Sequence, residues 1–131
     1  MVGLDTNILV RFFTRDDPNQ AMRARRAIEK TSREQVACCI STIVLCELVR
    51  VLRSSLGFRK EQILGTIESL FDAPEFLVED RDVVREAIAL YRTGAGDFSD
   101  YLIGLRNQRD GCRETLTFDE ALADSDLFTL V

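Results

Sequence analysis

Apolar residues follow two patterns along this chain: short unbroken runs, and longer stretches with helical spacing. The short runs predict five strands, at residues 1–4, 36–40, 76–78, 115–118 and 127–130, and the first two are expected to be buried. Apolar side chains three and four residues apart predict amphipathic helices between them, at 17–30, 42–55, 60–72, 83–92 and 97–109. Strands that alternate with helices favour a mostly parallel sheet with helices on both faces.

The predicted fold is therefore α/β, with three layers (α/β/α) and a parallel sheet of five strands in the order 3-2-1-4-5. In that order the first and fourth strands are neighbours, beside the crevice where such sheets bind ligands. Two helix starts carry clear capping signals. Asp17 precedes Pro18, which suits the first position of a helix, and Ser41 or Thr42 precedes an apolar helical stretch.

Length and composition predict one domain over residues 1–131. A chain of 131 residues that is 46% hydrophobic can form one core but not two ordinary domains. No apolar run approaches the ~18 residues that span a bilayer, so we expect a soluble, cytoplasmic protein with no membrane partner. The four cysteines lie in apolar or helical contexts, which fits reduced thiols rather than a disulfide framework.

The chain contains no histidine. This removes the usual general base near neutral pH, the imidazole-dependent triads and the commonest zinc ligand, so an enzymatic reaction would depend on carboxylates. The formal net charge of −5 at first argues against a nucleic-acid partner. All but two of the 17 cations are Arg, however, the side chain suited to paired contacts with phosphate. Net charge alone therefore does not decide the partner.

Five acidic residues fall at positions where chemistry is expected. Asp5 and Asp119 follow predicted strands, Asp97 and Asp100 share one face at a helix start, and Glu47 has apolar neighbours on both sides. We expect Glu47 to lie on or near a buried face. Two like charges ~5 Å apart repel by ~3 kcal/mol at an effective dielectric constant of ~20, so clustered carboxylates need a proton, an Arg or a cation. Oxygen ligands alone would favour Mg²⁺ or Mn²⁺.

Each acid also has a structural alternative. The four aspartates are common helix caps, and Glu47 could pair with Arg50 or another arginine. Taken singly, these alternatives are all plausible. Together they do not explain why acids fall at two strand ends, in mid-helix and at one helix start of an alternating α/β chain.

Four segments, in order along essentially the whole chain, resemble the acidic motifs of the PIN domain, and most closely those of the VapC-type ribonuclease toxins. They are Asp5-Thr6-Asn7, Leu45-Cys46-Glu47-Leu48, Asp97-Phe98-Ser99-Asp100-Tyr101-Leu102-Ile103 and Thr117-Phe118-Asp119. The resemblance implies that four acids form the catalytic and metal-binding set: Asp5, Glu47, Asp100 and Asp119. It also implies that Asp97 is an auxiliary metal-binding acid, and that three polar residues give supporting hydrogen bonds: Thr6, Asn7 and Thr117.

The activity implied by the resemblance is Mg²⁺- or Mn²⁺-dependent hydrolysis of RNA by a toxin of a toxin–antitoxin pair. Arg11, Arg50 and Arg53 follow motif positions and would contact the RNA backbone, although ordinary solvated charge explains each equally well. The implied protein partners are a VapB-type antitoxin and a second copy of the chain in a homodimer. The apolar helical stretches at 43–56 and 63–71 offer a dimer surface or, equally, plain core.

Two other functions compete with the nuclease. A haloacid-dehalogenase-like phosphatase also begins with an Asp at the first strand end, but its mechanism requires a second Asp where this chain has Asn7. A non-catalytic module that keeps the fold and binds RNA or protein would be favoured by a gap in the acidic set. The sequence shows no such gap.

Overall fold

The computed structural model describes residues 1–131 and contains five strands and six α-helices. The strands are β1 (Val2–Gly3), β2 (Cys38–Ile40), β3 (Phe76–Val78), β4 (Thr115–Thr117) and β5 (Phe128–Leu130). The helices are α1 (Thr6–Phe13), α2 (Pro18–Arg33), α3 (Thr42–Arg50), α4 (Lys60–Asp72), α5 (Arg81–Thr93) and α6 (Phe98–Arg109). A π-helical turn (Val51–Ser55) continues α3, and a 3₁₀ turn (Glu120–Leu122) follows β4. The chain divides into two compact units, Met1–Glu79 and Asp80–Val131.

The first unit is built on a parallel sheet of three strands in the order β1-β2-β3. Its register pairs Val2 with Cys38 and Cys39 with Leu77. Helices α1, α3 and α4 and the π-helical turn supply most of the fully buried side chains of this unit, which include Leu9, Leu45, Leu48, Leu52, Ile63, Ile67 and Leu70. All carboxyl ends of parallel strands lie at one edge, so the residues after β1, β2 and β3 share that edge.

The second unit contains α5, α6 and a parallel pair formed by β4 and β5. The two helices bury Val84, Tyr91, Phe98 and Tyr101, and the rings of Tyr91 and Phe98 meet edge to face with centroids 6.1 Å apart. Gly104 of α6 leaves room for β5, because a Cβ there would lie 3.0 Å from atoms of Phe128.

The structure confirms the α/β class and corrects the sheet. The strands pair in two parallel ladders of three and two strands, not in one five-stranded sheet of order 3-2-1-4-5. Each strand is only two or three residues long and therefore offers few backbone groups for pairing. Strand order in such short elements depends on packing that periodicity does not report.

Helix α1 is the element that the periodicity analysis missed. Residues 6–13 form two helical turns where the sequence predicted only a polar turn after the first strand. Asp5 caps this helix, as the structural alternative for that residue proposed, and Leu9 and Val10 are buried. Eight residues are too few to show a helical period clearly, since they complete just over two turns.

The remaining helices agree with their predicted bounds to within three residues, if the π-helical turn is counted as the end of α3. The Asp17 cap is confirmed, because its Oδ1 accepts a hydrogen bond from the Gln20 N–H at 3.1 Å. The four cysteines carry free thiols. None of the helices combines the length and the apolar character that a membrane span requires.

Candidate functional site

Asp5 lies where the chain leaves β1 and enters α1. The Leu4 N–H donates to the Cys39 carbonyl at 3.0 Å, which ties the end of β1 to β2. Asp5 itself is extended, and its Oδ1 accepts the Thr6 N–H at 2.8 Å as the cap of α1. The carboxylate is exposed, so its capping role uses one oxygen and leaves the second, Oδ2, without a protein partner.

Thr6 links its neighbour Asp5 to Glu47, which lies 41 positions after Thr6 in the chain. While the Thr6 N–H donates to Asp5, its hydroxyl donates to Glu47 Oε2 at 3.0 Å. Thr6 is only 5% exposed, so its side chain has little freedom to leave this position. The buried residue Thr6 therefore orients the carboxylates of both Asp5 and Glu47. The sequence could only suggest that these two acids act together.

Glu47 is exposed, and the prediction that it lies on or near a buried face is wrong. The buried positions of α3 are Thr42, Leu45, Leu48 and Val49. Glu47 lies on the other side of the helix together with Ile43, four residues earlier, which is 69% exposed. Glu47 forms no ion pair with Arg50, because its protein partner is Thr6.

Glu79 is an acid near this edge that the sequence analysis did not select. It follows β3, and its Oε1 accepts the Thr42 N–H at 3.1 Å and the Thr42 hydroxyl at 2.8 Å. Ser41 adds a second cap, since its hydroxyl accepts the Val44 N–H at 3.2 Å. Both contacts fix the start of the helix that carries Glu47. A carboxylate directly after a predicted strand was the available signal, since Asp5 was selected on the same ground.

In the second unit, Asp97 and Asp100 form a capping box at the start of α6. The Asp97 N–H donates to Asp100 Oδ2 at 2.9 Å, and both residues are half-buried. Both residues thus cap the helix, which was the structural alternative to a role in metal binding. The reciprocal bonds hold the two carboxyl groups close together at one helix end.

Asp119 follows β4 and caps the 3₁₀ turn. Its Oδ1 accepts the Ala121 N–H at 3.0 Å, and its own N–H donates to the Thr117 hydroxyl at 3.0 Å. The residue is exposed and its Oδ2 has no protein partner. Thr117 therefore fixes the backbone that presents this carboxylate.

A known protein family matches nearly the whole chain. The sequence profile described as the PIN domain matches residues 2–126. This chain belongs to the PIN domain family. A VapC ribonuclease of Aquifex aeolicus (strain VF5) is 27% identical over 115 residues, which cover 88% of this chain and 84% of that protein. The resemblance to VapC-type PIN proteins is confirmed.

The exposed acids of each unit have the chemistry of ligands for a hard divalent cation, although neither unit by itself gathers three or more metal-ligating side chains. Asp5, Glu47 and Asp119 each use one carboxylate oxygen in a bond to the protein and keep the other oxygen unpaired. A carboxylate that is oriented through one oxygen and open at the other is a common form of metal ligand. With no histidine in the chain, the ligands are oxygens, which suit Mg²⁺ or Mn²⁺.

The three arginines selected from the motifs of this PIN chain differ in their surroundings. Arg11 is held within its own unit, because its guanidinium contacts Asp16 at 2.8 Å and Gln20 at 2.8 Å. Hydrogen bonds from Thr14 and Arg11 lower the pKa of the Asp16 carboxyl. Arg50 and Arg53 are exposed, at the end of α3 and in the turn that follows it.

The apolar helical stretches that offered a dimer surface are mostly core. In α4, Ile63, Leu64, Ile67 and Leu70 are buried within the chain. In α3 the apolar side chain that remains well exposed is Ile43. The apolar side of α4 is therefore part of the core of the chain, which was the alternative to a dimer surface.

Proposed function

We propose that this PIN domain is a metal-dependent endoribonuclease and the toxin of a toxin–antitoxin pair. The observation that carries the proposal is the Thr6 bridge, which holds the exposed carboxylates of Asp5 and Glu47 by one buried residue. An exposed acid gains little stability from such a bond. The arrangement is instead what a ligand set requires, because it fixes one oxygen of each acid and leaves the other open.

We assign the metal-binding and catalytic roles to Asp5, Glu47, Asp100 and Asp119, with Asp97 as an additional metal-binding acid. The support is the order of these residues in a PIN family sequence and the local bonds that orient them. Thr6 and Thr117 position Glu47 and Asp119 through hydrogen bonds, and Asn7 is exposed on the same first turn as Thr6. Residues 1–131 would act as a single PIN domain.

When bound, Mg²⁺ or Mn²⁺ would lower the pKa of a water molecule and offset charge on the scissile phosphate. The chain's own contribution is positioning. Asp5 and Glu47 would hold the ion, and the N–H and hydroxyl of Thr6 keep their side chains from rotating away. Glu79 and Ser41 hold the start of α3 and so keep Glu47 in register with α1.

Similarity to a VapC ribonuclease supports two of the partners that we propose, RNA as the substrate and a VapB-type antitoxin that restrains the enzyme. We further propose that the protein acts in the cytoplasm as a homodimer. An arginine of the antitoxin that reaches the acids would be chemically suited to block metal and phosphate together.

The test is cleavage of mixed cellular RNA by purified protein with Mg²⁺ or Mn²⁺, against EDTA and an Asp5→Asn variant. We expect cleavage that is lost in both cases, because EDTA removes the ion and the amide is a poorer ligand. Asp72→Asn is the matched control, since Asp72 is an exposed acid at the end of α4. Mn²⁺ titration by calorimetry provides a readout independent of activity. If Asp5→Asn and the native protein bind the ion equally and neither cleaves RNA, the nuclease function is rejected. The non-catalytic module that binds RNA or protein is then the better description.

A further inference from the structure

Helix α2 carries a row of positive charge on a protein whose net charge is −5. Arg23, Arg26, Lys30 and Arg33 follow one another at spacings of three, four and three residues, which places them along one side of the helix. We call these four residues the cationic stripe. The buried residues of the same helix, Ala21, Ala24 and Ile28, face the opposite side. The stripe is therefore the fully solvent-facing side of α2.

The charges of the stripe are available to a ligand. All four side chains are exposed, and Arg23, Arg26 and Arg33 form no ion pair within the chain. Lys30 meets Glu34 at 4.0 Å, with side chains that are 72% and 55% exposed. An ordinary solvated helix face mixes both signs of charge. Glu29 is the single acid within α2 and Glu34 is its C-cap, so the four cations of the stripe outnumber these two acids.

The stripe continues toward the candidate active residues of the same unit. A groove of about 360 Å³ between α1 and α2 is lined by Arg23, Ala24, Gln20, Arg11 and Asn7. Asn7 is two residues beyond Asp5 on the first turn of α1. A strand held along the stripe would thus enter the groove at Arg23 and reach Asn7, the residue two positions after Asp5.

We propose that the cationic stripe binds the phosphate backbone of the RNA substrate, an inference that rests on the proposed function. Arginine suits this role because its fork of donors contacts phosphate oxygens in pairs. A protein partner is a poorer match, since arginines at the core of a protein interface are accompanied by aromatic residues and Met. The stripe contains no aromatic side chain. Contacts of this kind bind the backbone without reading its sequence.

The experiment measures binding of a short, fluorescent, single-stranded RNA of mixed sequence by anisotropy, in EDTA and over a range of salt. Three phosphate contacts contribute about 2 to the slope of log affinity against log salt for single strands. The triple variant Arg23→Gln, Arg26→Gln, Arg33→Gln should lose that part of the slope. Between about 0.05 and 0.2 M salt, the native protein should therefore lose about 20-fold more affinity than the variant.

Two further variants distinguish loss of the stripe from a general loss of positive charge. Arg85→Gln, Arg92→Gln, Arg113→Gln removes the same charge from exposed arginines of the second unit and should keep the native slope. Changing the three stripe arginines to Lys should also keep it, because the charge remains. Gln and Arg have similar helix propensities, and circular dichroism will verify that α2 is intact. Equal slopes for the stripe variant and the matched control would overturn the proposal.

Binding in EDTA also separates this inference from the nuclease itself. If the native protein binds RNA through the stripe but cleaves no RNA with Mg²⁺ or Mn²⁺, the proposed nuclease function is refuted and the proposed role of the stripe is supported. If cleavage is metal-dependent while the stripe variant keeps the native salt slope, the nuclease function is supported and the role of the stripe in RNA binding is refuted.

Discussion

Replacing Thr6 tests whether the bridge between Asp5 and Glu47 serves a ligand rather than the fold. Thr6→Val keeps the shape of the side chain and removes the hydroxyl that donates to Glu47 at 3.0 Å. The backbone N–H that donates to Asp5 stays in place. The variant therefore deletes one bond from the pair and leaves the other.

The expected change in stability is small. A hydrogen bond contributes about 0.5–1.5 kcal/mol, and Glu47 is exposed, so water replaces the lost donor. The expected change in metal affinity and cleavage is larger. Outer partners of metal ligands typically change affinity or activity by about 10- to 100-fold, because an unheld ligand must be ordered by the ion itself.

The assays are urea unfolding, Mn²⁺ titration by calorimetry and RNA cleavage, each on the native protein, Thr6→Val and Thr6→Ser. Serine keeps the hydroxyl, so we expect it to recover most of the metal affinity that valine loses. The loss in Thr6→Val should appear in kcat as well as in the metal affinity. Unchanged Mn²⁺ affinity in a folded Thr6→Val protein would refute the positioning role.

Two further predictions concern the ends of helices. Glu79→Gln should lower the free energy of unfolding by about 0.5–2 kcal/mol, because it weakens the charged acceptor for Thr42 at the start of α3; an unchanged urea midpoint would contradict this. Asp80 accepts hydrogen bonds from Arg109, which lowers the pKa of its carboxyl below the ordinary 3.8. Its stabilisation is therefore complete above that value and is lost as pH falls through the lower folded-state pKa. The stability difference between native protein and Asp80→Asn should shrink in acid, and a difference that is independent of pH would disprove the linkage.

The sequence predicted an element most accurately where residues within that element signalled its bounds or its buried side. Asp17 and Pro18 marked the start of α2, and the apolar side chains from Ile63 to Leu70 marked the buried side of α4. These signals are local, since a cap and a helical period depend on residues within a few turns. Helix α1 lacked such length and was missed.

Glu47 shows where neighbours in sequence mislead. Its flanking residues are apolar, but a helix turns by about 100° per residue, so adjacent positions point to different sides. Only the packing of α3 decided that Leu45 and Leu48 face the core and that Glu47 faces solvent. Glu79 shows the reverse case, an acid whose contact with Thr42 depends on the pairing of β2 with β3.

The sequence by itself determined the α/β class, the helix bounds to within a few residues, and the PIN family to which the acidic motifs belong. These properties depend on local patterns and on the order of residues. The tertiary structure alone decided how the strands pair, which side of α3 is buried, and that the Thr6 hydroxyl reaches Glu47 across 41 positions. Those outcomes depend on the packing of distant segments, which no local period encodes.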